Sequence, residues 1–324
     1  MVILTLGGGL GNQMFQYAFA RKLQIVCGDD GIRLADYHLK NTVNRADMLF
    51  HLNVSDNCKP CDRTQEQMTE NFQEPLLRRV SFLKKIARKC KVLRRLPGRY
   101  VCKLSDKGFF TTEETYLAQD YKGVTVCEDG SWQISERLRA EGNKFVEGNF
   151  QTWEYWRDME PLLREELRVK TTPSEANQEW ISRMQETESV CVHIRRGDYL
   201  APEYAHLNVC DQSYYARAME SIRRQKADAV FYIFSNDHKE LTWIQEHYDF
   251  SGYRVVYVDM DNPDYEELRL MYSCKHFIIS NSTFSWWGQF LCDNPDKIVI
   301  APDKWNRQCD ATGIYMPEWQ LIRV

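Results

Sequence analysis

Apolar and polar positions divide the chain into two unlike halves. In the carboxyl half, apolar runs of strand length occur at Val190–Ile194, Ala229–Phe234, Tyr253–Val258, His276–Ser280 and Lys297–Ile300. Helical patterns lie between them near Ser213–Arg224, Lys239–His247, Tyr265–Cys274 and Phe284–Leu291. Strands that alternate with helices at this spacing predict βαβ units and a parallel sheet. The amino half is less regular. An apolar run at Val2–Leu6 enters Gly7-Gly8-Gly9-Leu10-Gly11-Asn12-Gln13, and a helix is expected from about Asn12 to Val26. Met14, Tyr17, Ala18, Arg21 and Ile25 fall on or near one face of that helix. A further strand is expected at Gly31–Ala35.

The pattern predicts an α/β protein of two domains, 1–160 and 161–324, with an irregular insert at about 58–121. The polar stretch Thr171–Gln178, with Pro173, is a candidate linker. The glycine turn does not read as a dinucleotide fingerprint, because the sixth place counted from Gly7 is Asn12. It is not a Walker A loop either, since no Gly-Lys-Ser/Thr follows. Two readings remain open for it: a turn that needs positive φ, or glycines that let backbone approach a ligand at a helix start.

Composition narrows the class. A net charge of −4 over 324 residues carries no basic excess of the kind that marks nucleic-acid binding. The first apolar run is too short to span a membrane and precedes no cleavage pattern. The 11 cysteines are odd in number and scattered, which fits reduced thiols and a cytoplasmic protein. Cys58-Lys59-Pro60-Cys61 has no second pair at metal-binding spacing. One region departs from the average: Arg78–Lys103 has eleven Lys/Arg and no Asp/Glu, with Leu83, Ile86, Ala87, Cys90 and Leu93 at helical spacing. Such a segment either lies on an anionic membrane surface or docks on its own domain with a solvated basic face.

Chemistry concentrates at Cys191-Val192-His193-Ile194-Arg195-Arg196-Gly197-Asp198-Tyr199. An apolar strand ends there on two arginines, whose planar forks match phosphate oxygens. Ligands of parallel α/β sheets bind at strand carboxyl ends, so a diphosphate-activated donor is the expected substrate class. His193 points to the same side as Arg195, two residues on. Ser280-Asn281-Ser282-Thr283 ends a strand and opens a helix, where Ser282 and Thr283 would either bind phosphate or cap the helix. Trp286 and Trp287 are expected to pack that helix on the sheet. Asp259-Met260-Asp261 admits a metal–diphosphate reading, but Asp261-Asn262-Pro263-Asp264 also reads as a turn and helix cap, and an arginine pair already supplies the positive charge.

Several of these stretches resemble one family. Gly8-Gly9-Leu10-Gly11-Asn12-Gln13-Met14-Phe15-Gln16-Tyr17-Ala18 resembles the amino-terminal signature of the α-1,2-fucosyltransferases of glycosyltransferase family 11. His193–Tyr199 resembles the central motif of that family, Phe234-Ser235-Asn236-Asp237 its next, and Ser280–Gly288 its last. Gly148–Trp156 is similar to a further family element, and the five stretches follow the family order. The resemblance implies a GT-B fold, two Rossmann-like domains across a cleft, with GDP-L-fucose held by the carboxyl-terminal one. It implies inverting transfer of fucose to a galactose 2-hydroxyl on a β-galactoside, with no metal and no cofactor.

On that resemblance, His193, Arg195, Arg196, Asn236, Asp237, Glu267, Asn281, Ser282 and Thr283 become donor contacts. Arg195 would hold the β-phosphate, while Arg196 would share the grip or pair with Asp198 or another acid. Glu267, rather than Glu266, would accept the N1–H and N2–H of guanine. Asp198 and Glu203 are the two candidates for the base. Gly9, Gly11, Asn12, Gln13 and Gln151 would face the acceptor or the fucose from the amino side. The alternative function is another nucleotide-sugar transferase that uses a metal at Asp259 and Asp261.

Overall fold

The computed structural model describes residues 1–35, 48–60, 124–134, 136–139, 144–146, 148–307 and 312–324. The basic segment Arg78–Lys103, Cys61 and nearly all of the expected insert lie outside the described residues. Seven cysteines are described, and all seven are free thiols. No helix among the described residues is long and apolar enough to cross a membrane.

Strand β1, Val2–Thr5, is buried along its whole length and leads through the glycine turn into α1, Leu10–Cys27. Strands β2, Ile32–Ala35, and β3, Cys58–Pro60, follow. A short antiparallel hairpin, β4 (Val124–Val126) and β5 (Trp132–Ile134), precedes α2 (Glu136–Arg139) and β6 (Lys144–Val146). The first sheet has the order β3-β2-β1-β6 and is parallel throughout. Helices α3, Glu160–Glu166, and α4, Glu175–Glu186, lead to the second sheet. The expected linker is therefore shorter than 171–178. Ser174 caps α4 by accepting from the N–H of Asn177 at 3.2 Å, and the helix begins at Glu175.

The second sheet forms five of its six strands where its apolar runs predict them, and the sixth, Gln320–Ile322, was not expected. Its members are β7 (Glu188–His193), β8 (Ala229–Phe234), β9 (Arg254–Tyr257), β10 (His276–Ile278), β11 (Val299–Pro302) and β12 (Gln320–Ile322). Helices α5 (Gln212–Gln225), α6 (His238–His247), α7 (Asp264–Tyr272) and α8 (Thr283–Leu291) connect them. The order is β12-β11-β10-β7-β8-β9, all parallel, so β7 lies in the interior. Alternation along β7 sends Val190, Val192 and Ile194 into one core, under α5 and α6, and Cys191 into another, under α7 and α8.

That second core runs on without a break into the amino half. It contains Val2 and Leu4 of β1, Phe15 of α1, and Trp286 and Trp287 of α8. Phe15 sits 4.8 Å from Trp286 and 4.9 Å from Trp287, ring centre to ring centre, and Trp156 stacks on Trp287 at 5.2 Å. Helix α1 is consequently buried on nearly every side, Gln13, Gln16, Lys22 and Gln24 included. A single apolar face through Ile25 is not what forms: Ile25 is 45% exposed. The polar residues of α1 go inward because partners await them. Tyr17 donates to Glu166 at 2.6 Å, Arg21 pairs with the same carboxylate at 2.8 Å, and Lys22 pairs with Asp158. Helix α3 also reaches the other way, Arg164 donating to the Cys292 carbonyl at 3.0 Å. The expected division at 160/161 thus falls at the start of a helix bonded to both halves.

Candidate active site

The turn after β7 is held by its neighbours on three sides. Asn236 accepts from the N–H of Arg196 at 2.8 Å, and Tyr199 donates its hydroxyl to the Asn281 carbonyl at 3.1 Å. Gly197 takes φ 50°, and a Cβ there would stand 3.0 Å from the Asn236 amide, so only glycine suits the position. His193, at the end of the strand, is buried with Nδ1 3.1 Å from the Ser280 hydroxyl. Burial, with Arg195 nearby, pushes its imidazole down to about 3, so it is neutral at physiological pH.

The two arginines take different partners. Arg195 donates from Nη2 to Asp198 at 2.7 Å. Arg196 pairs with Glu240 at 2.8 Å and lies 3.3 Å over the centre of the Trp243 ring. Of the partners expected for it, Asp198 or another acid, Arg196 therefore takes the other acid, Glu240 of α6. Arg195, its side chain 28% exposed, lies 5.4 Å from the centre of the Tyr199 ring and makes no other hydrogen bond to a described residue.

A second turn lies beside the first, touching it through Tyr199–Asn281 and His193–Ser280. Ser282 caps α8, its hydroxyl accepting from the N–H of Phe284 at 3.3 Å. Thr283 donates to the Asn12 side-chain oxygen at 2.8 Å, and Gln151 donates to the same oxygen at 2.9 Å. Asn12 thus joins three segments far apart in the chain. Gly11 permits the junction: a Cβ on it would lie 2.5 Å from the backbone nitrogen of Phe284. Gly9 is the residue before α1, with open space where a side chain would go. Gln13 is buried and donates to the Gly8 carbonyl at 3.1 Å. Gln151 follows Phe150, which has φ 51° and is held there by stacking on Phe19 at 3.9 Å.

The starts of α1 and α8 therefore abut, and neither has an acidic residue in its first turn. Two positive helix ends and a permanent guanidinium on the adjoining turn make a place suited to an anion. Other expected donor residues are spoken for. Asn281 is buried and donates to the carbonyls of Leu207 and Trp305, both at 2.8 Å. Asp237 caps α6 by accepting from the N–H of Glu240 at 2.9 Å.

The two glutamates of α7 divide sharply. Glu266 is buried in an ion pair with Arg269 at 2.9 Å and also accepts from Asn177. Glu267 makes no side-chain hydrogen bond to a described residue. Burial, with Asp264 and Asp259 nearby, pushes its carboxyl up to about 8. Asp259 is engaged by His238 at 2.8 Å, and that contact raises the His238 pKa. Asp261 and Glu203 are exposed. No group of three or more metal-capable side chains occurs among the described residues.

Several contributors were not anticipated. Gln16 brackets the glycine turn from within α1, accepting from the N–H of Gly7 at 3.1 Å and donating to its carbonyl at 3.3 Å. Ser280, Glu240 and Trp243 act through pairings 40 to 90 residues long in sequence, which no local pattern announces.

Glycosyl transferase family 11 matches residues 130–323 of the chain. The O-antigen biosynthesis glycosyltransferase WbnK of Escherichia coli is 29% identical over 97% of this chain and 98% of its own length. An alpha-1,2-colitosyltransferase of Escherichia coli is 28% identical over 94% of this chain and 92% of its own. Among solved structures, Arabidopsis thaliana FUT1 in complex with GDP superimposes with a TM-score of 0.50 at 10% identity, covering 94% of this chain and 71% of that one. At that identity the likeness concerns the fold, which is GT-B.

Proposed function

The chain belongs to glycosyltransferase family 11 and is a glycosyltransferase of the GT-B fold; on that footing we propose that it transfers L-fucose from GDP-L-fucose to the 2-hydroxyl of a terminal β-galactoside, with inversion and without a metal. The observation that carries this reading is Arg195. Its guanidinium gives one nitrogen to Asp198 and makes no other hydrogen bond to a described residue, on the turn after an interior strand and near two helix starts that lack acidic residues. A diphosphate is the anion such a constellation suits.

The chemistry follows from that grip. The galactose hydroxyl attacks the anomeric carbon from the side opposite the phosphate. The bond to the β-phosphate oxygen breaks with its electron pair, so negative charge grows on the leaving group. A fixed guanidinium and helix N–H groups bind that charge more strongly in the transition state than in the donor. The hydroxyl proton passes to a carboxylate. Asp198 is already committed to Arg195, whereas Glu203 on the next turn has no hydrogen-bond partner among the described residues. Glu203 is therefore the better base, and Asp198 the residue that aims Arg195. His193 serves the donor site as a neutral wall. Glu267, a half-buried carboxyl with no hydrogen-bond partner among the described residues, fits the paired N–H donors of guanine, which would favour its charged form. Asn12 and Gln151 border the site from the amino side, with Gly9, Gly11 and Gln13 shaping the turn they rise from.

A second reading concerns the donor sugar alone, since one relative is an alpha-1,2-colitosyltransferase. A cytoplasmic setting, with peripheral membrane contact through the eleven cations of Arg78–Lys103, completes the proposal; co-sedimentation with anionic vesicles tests it.

The test is GDP release from GDP-fucose, and from GDP-colitose, with β-galactoside acceptors in the presence of EDTA. Acceptor-dependent release is expected with wild type. Arg195→Ala should lower kcat by about 10²–10³-fold, the scale of one lost transition-state donor. Release that requires restored divalent metal would overturn the metal-free reading and point to Asp259 and Asp261. Unchanged turnover in Arg195→Ala would remove the arginine from the mechanism.

A further inference from the structure

On the side of the β7 turn away from His193 lies a cavity of about 550 Å³, between residues 196–200 and one face of α6. Its size is that of a small-molecule site, about 300–1,000 Å³. Lys239, Thr242, Trp243 and Glu246 line it, and their three- and four-residue steps put them on one face of the helix. Leu200, 48% exposed, forms its lip.

The lining restricts the ligand. Arg196 lies 3.3 Å from the centre of the Trp243 ring, and His247 stacks on the same ring at 4.1 Å. Groups that close cannot share one face, so both faces of the indole are covered and no nucleobase can stack there. Arg196 and His238 are already engaged by Glu240 and Asp259, each at 2.8 Å. What remains is one cation, Lys239, one anion, Glu246, and the Thr242 hydroxyl between them, none hydrogen-bonded or ion-paired to another described residue. Such a lining has no net charge to hold a phosphate or a metal. It has donors and acceptors side by side, with an apolar lip, as a neutral ligand rich in hydroxyl groups requires.

The cavity shares the β7 turn with the reaction centre, on the opposite side of it. Arg196 follows Arg195, and Leu200 shares the turn Gly197–Leu200 with Asp198. We propose that this cavity binds the sugar residues of a neutral acceptor oligosaccharide that lie beyond the galactose receiving the transferred sugar. The inference rests on the galactoside-acceptor reading above. It makes α6 and the lip of the turn determinants of acceptor length.

The experiment compares methyl β-galactoside with a neutral oligosaccharide of four or more sugars ending in the same β-galactose. Thr242→Trp fills the cavity from an exposed helix face, and the double variant Lys239→Ala/Glu246→Ala removes its free polar partners. Wild type should show a KM about tenfold lower for the long acceptor, a contribution of about 1.4 kcal/mol. Both variants should lose that advantage while kcat, and the KM for methyl β-galactoside, stay unchanged. Equal KM for long and short acceptors in wild type, or a variant that alters both alike, overturns the proposal. If wild type turns over no galactoside, the fucosyl-transfer reading fails by itself. Calorimetric titration of the same oligosaccharide then still decides the cavity: binding lost in Thr242→Trp supports it, and binding that is absent or equal in both proteins refutes it.

Discussion

The turn from β1 into α1 and the turn from β10 into α8 reach the same point of the molecule with different residues. The first is glycine, the second hydroxyl. Gly11 brings the start of α1 against the backbone of Thr283 and Phe284, where a side chain would collide at 2.5–2.8 Å. Ser282 and Thr283 do the reverse work: one hydroxyl caps its own helix, the other reaches across to Asn12 at 2.8 Å. The difference shows how a two-sheet protein can bring two positive helix ends together. One partner must be bare enough to approach; the other must supply the bonds that hold the approach.

The largest effect expected from breaking this arrangement is at Gly11. Alanine in a helix is intrinsically favoured over glycine by about 1 kcal/mol, so propensity alone predicts a gain. The clash is with backbone, which cannot rotate aside, and overpacking of this kind costs about 1–3 kcal/mol or more. Gly11→Ala should therefore lower the denaturation midpoint and strongly reduce turnover, since α1 and α8 must part. Gly9→Ala is the control, with nothing within 4 Å of its Cβ and φ −79°. It should cost only the difference between glycine and alanine as an N-cap, about 0.5–1 kcal/mol, with no clash and with turnover kept. A Gly11→Ala protein as stable and active as wild type would mean that the close approach is not needed.

How much of this could be read from residues differs between the halves for a physical reason. Strands of the second sheet are covered on both faces, so they appear as apolar runs that local reading detects, and its helices announce themselves by caps such as Asp211 and Asp237. In the first sheet the four-residue strands β1 and β2 still show as apolar runs, but β3 and β6, of three residues, are too short to carry a pattern. Helix α1 hides its orientation because Gln13, Gln16, Lys22 and Gln24 are buried beside its apolar residues. Short β12 was invisible for the same reason as β6. At the site, His193 and Arg195 stand out because a strand ends on them. The Asn12–Thr283 bond, across 271 residues, depends on how the two sheets meet and leaves no mark in either segment alone.

That bond sets the next prediction. Asn12→Ala removes the one acceptor shared by Thr283 and Gln151, and leaving such donors unmet costs about 1–3 kcal/mol. If the bond couples the two halves, Asn12→Ala and Thr283→Val should not add. A double-mutant cycle on urea denaturation should give a coupling of about 0.5–1.5 kcal/mol. Strict additivity would show that each side chain acts within its own half.

The smallest effect is expected at Ser282. As a cap, its loss in Ser282→Ala should cost about 0.5–1 kcal/mol, toward the low end because the bond to Phe284 is 3.3 Å long. As a phosphate contact, the same hydroxyl would also matter to donor affinity. Ser282→Asp separates the two roles. Aspartate caps a helix as well as serine does and suits its positive end, so stability should be kept. Its charge, however, would stand at the start of α8, where no acidic residue is found in the first turn. GDP should then bind more weakly to Ser282→Asp than to Ser282→Ala, most clearly at low ionic strength. Equal GDP affinity in the two variants would mean that the anion site lies beyond the reach of this turn. The glycine turn and the hydroxyl turn would then meet for structural reasons, with Arg195 left to hold the diphosphate by itself.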